Sequence, residues 1–229
     1  QDRYTIEGSS HLPRFSGGLV GFFGFDCVRY VEPKLRGSCP EDNLKNPDIY
    51  LLLVDSFVIF DSQKGELVLV KYVEKEQANQ LIEAEKYLDK LESQLSSSQK
   101  IRKREPNDAL FKHDFQTEFE REQFLEAIRK IKEYILEGDV MQVVLAQRLS
   151  TELRCQTIDI YRALRYLNPS PYLYYFNFGD LEIIGSSPEI LVRVENDVVT
   201  TRPLAGTRPR GNTYEEDLLL EKELLADPK

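Results

Sequence analysis

The feature that most limits what this chain can fold into is a polar break near its middle. Ser96-Ser97-Ser98-Gln99-Lys100-Ile101-Arg102-Lys103-Arg104-Glu105-Pro106-Asn107-Asp108 carries a single isoleucine and a proline. A stretch so poor in apolar side chains cannot bury enough surface to offset the entropy of ordering its backbone, so it has the composition of a linker. The chain is therefore expected to form an N-terminal block over 1–95, a linker over 96–116 and a second block over 117–229. Lys100–Arg104 is basic, but it lacks interleaved aromatics and sits in an acidic chain, which reads as a solvated hinge.

Composition narrows the class. With 41% hydrophobic and 30% charged residues, the 229-residue chain reads as an ordinary globular protein rather than a disordered one. Its net charge of −9 disfavours nucleic acid and anionic membranes as partners, because both need a concentrated positive field. The longest apolar run, Ile49–Val54, stops at Asp55 and is far too short to span a bilayer. Cys27, Cys39 and Cys155 are widely spaced, and only His11 and His113 could complement them. Neither a zinc site nor a disulfide framework is expected, and the thiols read as idle. No basic-then-apolar leader opens the sequence, which points to a cytoplasmic protein.

In the first block, Tyr50–Asp61 and Glu66–Val73 are rich in branched and aromatic residues and flank Ser62-Gln63-Lys64-Gly65, a hairpin pattern. After it, Leu81, Ala84, Leu88, Leu91 and Leu95 fall at three- and four-residue steps, one apolar stripe of a helix that is expected to face the core. The second block opens with a helix marked by a Thr117/Glu120 capping box, lined by Phe124, Ile128, Ile131 and Ile135 and ended by Gly138. Expected next are a strand over Val140–Leu149, a helix near Asp159–Leu167, and strands at Tyr172–Asn177, Glu182–Gly185, Ile190–Glu195 and Val198–Thr201. A last helix is capped by Thr213 and Glu216. Antiparallel strands with interspersed helices define an α+β fold.

Four stretches could carry chemistry. In Pro203-Leu204-Ala205-Gly206-Thr207-Arg208-Pro209-Arg210-Gly211, Gly206 permits close approach of a ligand and Thr207 offers a hydroxyl and an N–H. Arg208 and Arg210 could pair with a carboxylate, so the loop suits a small anion or is simply a surface turn. Glu189 follows Pro188 after Gly185-Ser186-Ser187. Held at a kink beside apolar neighbours it could serve as a general acid; otherwise it is an exposed strand-end carboxylate. Alternation along Val140–Arg148 places Gln142 among Val140, Val144 and Ala146, so the amide needs either a protein partner or a polar ligand. Asn168-Pro169-Ser170-Pro171-Tyr172 is stiffened by two prolines, as a rigid turn or as a wall for an aromatic ligand.

Taken together, RFSGGLVGFFGFDCVRYVE, GDVMQVVLAQR, LNPSPYLYYF, IIGSSPEILVRV and TRPLAGTRPRG, followed by a helix ending ELLADPK, resemble the chorismate-utilising enzymes. Within that family the match is to the anthranilate synthase large-subunit branch. The resemblance implies the family's fold, antiparallel sheets with helices outside, present here in incomplete form. It implies amination of chorismate by ammonia from a glutaminase partner, with loss of the C4 hydroxyl and then of pyruvate. Gly206 and Thr207 would bind chorismate, Glu189 would be the acid, and Gln142 would line the nucleophile side. Pro171, Tyr172 and Leu173 would belong to a tryptophan feedback site. Isochorismate- and salicylate-forming relatives carry a lysine base at the position of Gln142, and aminodeoxychorismate synthases commonly carry a nucleophilic lysine at that of Ala205. Both neutral residues favour direct amination. The resemblance also implies Mg²⁺, with its ligands expected beyond Lys229 and none in this chain, and the other half of the tryptophan site before Gln1. Alternatives are an aminodeoxychorismate synthase component, or a non-catalytic module that binds tryptophan or a partner subunit. A piece of such a fold should expose sheet edges and apolar surface, which favours either self-association or cover by further chain.

Overall fold

The computed structural model describes residues 6, 7, 12, 14–38, 41–75, 77–97, 115–204 and 206–227. The chain divides into two compact units, Gln1–Pro106 and Asn107–Lys229. The expected linker falls largely outside the described residues, as do Cys39, His11, His113 and Ala205.

In the first unit β1 (Gly18–Phe23) leads through two short 3-10 turns flanking the single-turn helix α1 (Val28–Val31) to β2 (Ile49–Val54). The two strands pair antiparallel, from Gly18 opposite Val54 to Phe23 opposite Ile49. The expected strand Tyr50–Asp61 is in fact two, because the run breaks at Asp55. β3 (Ser56–Asp61) turns away and pairs with β4 (Glu66–Lys71), the hairpin anticipated across Ser62–Gly65. Asp55 is spent at this corner: its carbonyl accepts the Tyr72 N–H at 2.8 Å and its carboxylate holds Lys71 Nζ at 2.9 Å.

An aromatic cluster ties the start of β1 to the hairpin. The Phe15 and Phe57 rings lie 5.5 Å apart, Phe57 and Tyr72 6.2 Å apart, and the Tyr72 hydroxyl donates to the Ser16 carbonyl. Gly17 makes this possible. Its φ is +97°, and a Cβ there would stand 2.8 Å from the Tyr72 ring. Helix α2 (Ala78–Ser96) packs on β4, and Val70 on the strand and Ala84 on the helix are the two buried apolar residues among those described. The predicted helical stripe is thus only partly core: Ala84 is buried and Leu88 and Leu91 are half-buried, but Leu81 and Leu95 are exposed.

In the second unit a two-residue bridge, β5 (Gln116–Thr117) with β6 (Leu149–Ser150), brackets α3 (Arg121–Glu137). The start of α3 lies one turn later than Thr117/Glu120 implied. Glu120 is the N-cap, and its N–H donates to Gln123 Oε1 at 3.2 Å. Phe119 packs edge-on against Phe124, the contact that fixes how the chain enters a helix. Thr117 is taken by the bridge instead. Gly138 ends α3 at φ +84°, and the Asp139 N–H closes the turn on the Tyr134 carbonyl at 2.9 Å, as expected.

Helix α4 (Thr157–Leu167) rests on the hairpin of β7 (Tyr172–Asn177) and β8 (Glu182–Ser187), which pair in register from Tyr172–Ser187 to Asn177–Glu182. On this hairpin the Glu182 carboxylate accepts the Tyr175 hydroxyl at 2.5 Å and the Asn177 amide at 2.9 Å. β9 (Arg193–Glu195) and β10 (Val198–Thr200) follow across a two-residue turn in which Asn196 and Asp197 both take positive φ. Helix α5 (Tyr214–Ala226) starts as anticipated, with Thr213 Oγ1 accepting the Glu216 N–H at 3.2 Å.

The expected strand Val140–Leu149 is not formed; only Leu149 and its neighbour Ser150 pair. A strand exists by its partner's N–H and C=O groups, and the segment meets a neighbour only at its end. There Gln147 Nε2 donates to the Phe119 carbonyl at 3.2 Å and Arg148 pairs with Glu118. Each sheet among the described residues has two strands, and large apolar side chains such as Leu19, Phe23, Phe60 and Met141 stand open to solvent. No helix among the described residues is long and apolar enough to cross a membrane.

Candidate active site

The second unit brings two of the motifs into direct contact. Pro188 stops the β8 ladder and leaves the half-buried Glu189 just past it. Glu189 Oε2 accepts the Leu204 N–H at 2.9 Å, so the carboxyl stands against the backbone of the Pro203–Gly211 stretch. That stretch leaves β10 without regular structure and is fixed by α5 at its far end. A Cβ on Gly206 would stand 2.9 Å from Leu224 Cδ1, so the loop runs close over the helix. Thr207 is exposed, and its carbonyl accepts Arg208 Nη1 at 3.1 Å.

The two arginines pair with carboxylates of the protein itself, which of the two readings of this loop favours the surface turn for them. Arg208 donates to Glu223 at 3.2 Å and to Asp227 at 2.8 Å. These bonds, to Asp227 first and then Glu223, raise the Arg208 pKa above its ordinary value. Arg210 pairs with Asp217 at 2.7 Å, whose other oxygen accepts the Gly211 N–H at 2.9 Å. Helix α5 supplies Asp217 and Glu223 and its C-cap residue is Asp227, so the arginines close the loop onto the helix.

Gln142 is exposed on the irregular 140–148 segment and has no hydrogen-bond partner among the described residues. It is not mixed into an apolar face, since alternation has no meaning where no strand forms. Pro171 is exposed, whereas Tyr172 and Leu173 are half-buried at the first positions of β7. Sequence reasoning overlooked the serines between these motifs. Ser186 Oγ donates to the Asn168 carbonyl at 2.7 Å, Ser187 Oγ to the Glu189 carbonyl at 3.1 Å, and Ser170 Oγ to the Ser187 carbonyl. The only signal for Ser170 and Ser187 was their placement next to prolines, which cannot donate, and Ser186 carried none.

Two recesses lie in the first unit. An open one of about 950 Å³ runs between β4 and α2 in the first unit, lined by Asp55, Lys71, Tyr72, Glu83, Ala84 and Tyr87 among others. A smaller one, about 420 Å³, surrounds Tyr30 and Asp48. There the Tyr30 hydroxyl donates to Asp48, and that bond raises the Tyr30 pKa above its ordinary value. Among the described residues no group of three or more His, Cys, Asp or Glu is placed to hold a metal ion. Cys27 and Cys155 are free thiols.

Residues 2–229 match the chorismate binding enzyme family, and the chain belongs to it. Its relatives place it more narrowly. Anthranilate synthase component 1 of Pseudomonas aeruginosa is 47% identical over 99% of this chain and 46% of that protein. The Aquifex aeolicus protein of the same name is 44% identical over 95% of this chain and 44% of its own length. The crystal structure of anthranilate synthase component I from Streptococcus pneumoniae TIGR4 matches with a TM-score of 0.76 at 34% identity, over 98% of this chain and 48% of that one. The chain thus spans about half the length of the curated relatives it matches. The α+β expectation holds, and the fold is that of component I.

Proposed function

We propose that this chain forms part of an anthranilate synthase large subunit. In the whole protein, ammonia adds to C2 of chorismate, the C4 hydroxyl leaves, and pyruvate is eliminated to give anthranilate. The observation that carries the reading is the contact between Glu189 and the Leu204 N–H, which joins the acid's motif to the substrate loop. Glu189 protonates the departing hydroxyl, a role for which its second oxygen has no protein partner among the described residues. Gly206, without a side chain, and Thr207, with an exposed hydroxyl, receive the substrate. Their backbone and hydroxyl donors carry recognition there, because Arg208 and Arg210 are already paired. Gln142, a neutral amide, leaves ammonia as the nucleophile, since it cannot deprotonate water.

A glutaminase subunit supplies the ammonia, a relation that fits the "component 1" naming of the relatives. Tryptophan binds against Pro171, Tyr172 and Leu173 as feedback inhibitor. Magnesium, when bound, would offset the charge of the substrate's carboxylates. Sparse cysteine usage, with Cys27 and Cys155 free among the described residues, fits a cytoplasmic setting.

The test is the full-length protein with chorismate, ammonium and Mg²⁺. Anthranilate and pyruvate should form in equal amounts, and Glu189→Gln should lower kcat by about 10²–10⁴-fold with KM little changed. Formation of isochorismate or aminodeoxychorismate instead would overturn the reading.

A further inference from the structure

The open end of the β7–β8 hairpin is held by side chains where prolines interrupt the backbone ladder. Beyond the Tyr172–Ser187 pair, the strands run into Pro169 and Pro171 on one side and Pro188 on the other. A proline has no N–H, so the ladder cannot continue. Three serine hydroxyls take over. Ser186 Oγ donates to the carbonyl of Asn168, which caps the C-terminus of α4 and would otherwise lack an intrahelical partner. Ser170 Oγ accepts the Tyr172 N–H at 3.1 Å and donates to the Ser187 carbonyl. Ser187 Oγ reaches over Pro188 to the Glu189 carbonyl at 3.1 Å. From there the Glu189 side chain accepts the Leu204 N–H. Hydrogen bonds therefore run from the end of α4, across the 168–173 turn, to the backbone of Glu189, whose side chain carries the connection on to Leu204.

We propose that Ser170, Ser186 and Ser187 are positioning residues: a hydroxyl staple through which the 168–173 turn sets where the Glu189 carboxyl stands. A merely structural staple would need only to close the hairpin, and Ser170 and Ser186 already do that. The Ser187 hydroxyl adds nothing to the hairpin itself. Its bond fixes the backbone of the residue that carries the carboxyl, and the prolines on both sides leave the segment few other ways to move. Any ligand that shifts Pro171–Leu173 would move Glu189 through the same bonds. The inference rests on the reading of Glu189 as the acid only for its kinetic consequence.

The experiment therefore has a kinetic arm and a structural arm, both in the full-length protein. Ser187→Ala should lower kcat for anthranilate formation about three- to tenfold while leaving the chorismate KM within about twofold, the scale of one lost hydrogen bond. Ser187→Thr keeps the hydroxyl and should restore kcat. In parallel, amide exchange at Leu204 should accelerate by a similar factor in Ser187→Ala and not in Ser187→Thr. Ser170→Ala should show the same pattern more weakly, and it carries the test if Ser187→Ala does not fold. A Leu204 amide that exchanges as in the wild type in the alanine variants would overturn the staple. Exchange that follows the hydroxyl while kcat stays unchanged would retain the staple and remove Glu189 from catalysis.

Discussion

Two segments of the second unit look alike on paper and behave differently. Val140–Leu149 and Tyr172–Ser187 are both rich in branched or aromatic residues. The second forms a hairpin with six matched pairs, while the first is irregular until its last residue. Residue preference is not the cause, since valine and leucine suit a strand. The hairpin carries its own partner a few residues away, across Phe178–Leu181, where the Phe178 N–H closes on the Leu181 carbonyl at 2.9 Å. The 140–148 segment has no such neighbour in sequence, and a strand is a relation between two segments rather than a property of one. The same contrast separates two candidate site residues. Glu189 is held at the mouth of a formed hairpin, and Gln142 sits on backbone without a partner.

Hydrogen exchange should show this contrast most strongly. Amides of Tyr172–Asn177 are expected to exchange about 10²-fold more slowly than those of Met141–Ala146 in the 229-residue chain, as measured by NMR or mass spectrometry. Equal protection would mean that 140–148 finds a partner strand, and the comparison would collapse. A smaller effect is expected at Gln142. In the full-length protein Gln142→Lys should reduce amination about tenfold and admit water as nucleophile, because an amine near the attacking atom can act as a base. Product analysis by chromatography distinguishes the two outcomes, and unchanged amination would remove Gln142 from the site.

The smallest effect concerns the hairpin's own polar cluster. The Tyr175 hydroxyl first, and Thr157 second, hold the Glu182 carboxyl below the ordinary carboxylate value. A carboxyl depressed on folding adds stability above its unfolded pKa, about 4.3 for glutamate, and loses it as pH falls through the folded value. Tyr175→Phe should let Glu182 titrate nearer the ordinary value and make acid unfolding depend less on this residue. Side-chain carboxyl shifts in NMR titrations read this directly, and an unmoved Glu182 would assign the depression to another cause.

What was legible in the sequence follows the same division. Signals that act within one turn of chain were readable: Gly138 ends α3, Thr213 caps α5, and β7 begins and ends where its pattern says. Signals that depend on competition were misread. Thr117 could cap a helix, but pairing with Leu149 claims it, so the cap passes to Glu120. Asp55 interrupts an apolar run by a single residue, yet β2 and β3 on either side of it lie in different sheets, and its carbonyl and carboxylate are both held by the end of β4, at Tyr72 and Lys71. For the candidate site, the motifs themselves stood out. The bond from Leu204 to Glu189 did not, since it spans fifteen positions and uses a backbone group that any residue carries.

The clamp on the Pro203–Gly211 stretch has an electrostatic consequence of its own. Arg208 and Arg210 bring two positive charges, and Glu223, Asp227 and Asp217 bring three negative ones, so the ensemble carries a net −1. A turn that reads as cationic in one dimension is thus slightly anionic in three. It exerts no long-range pull on a dicarboxylate, and capture there depends on short-range donors that a dilute salt solution does not screen.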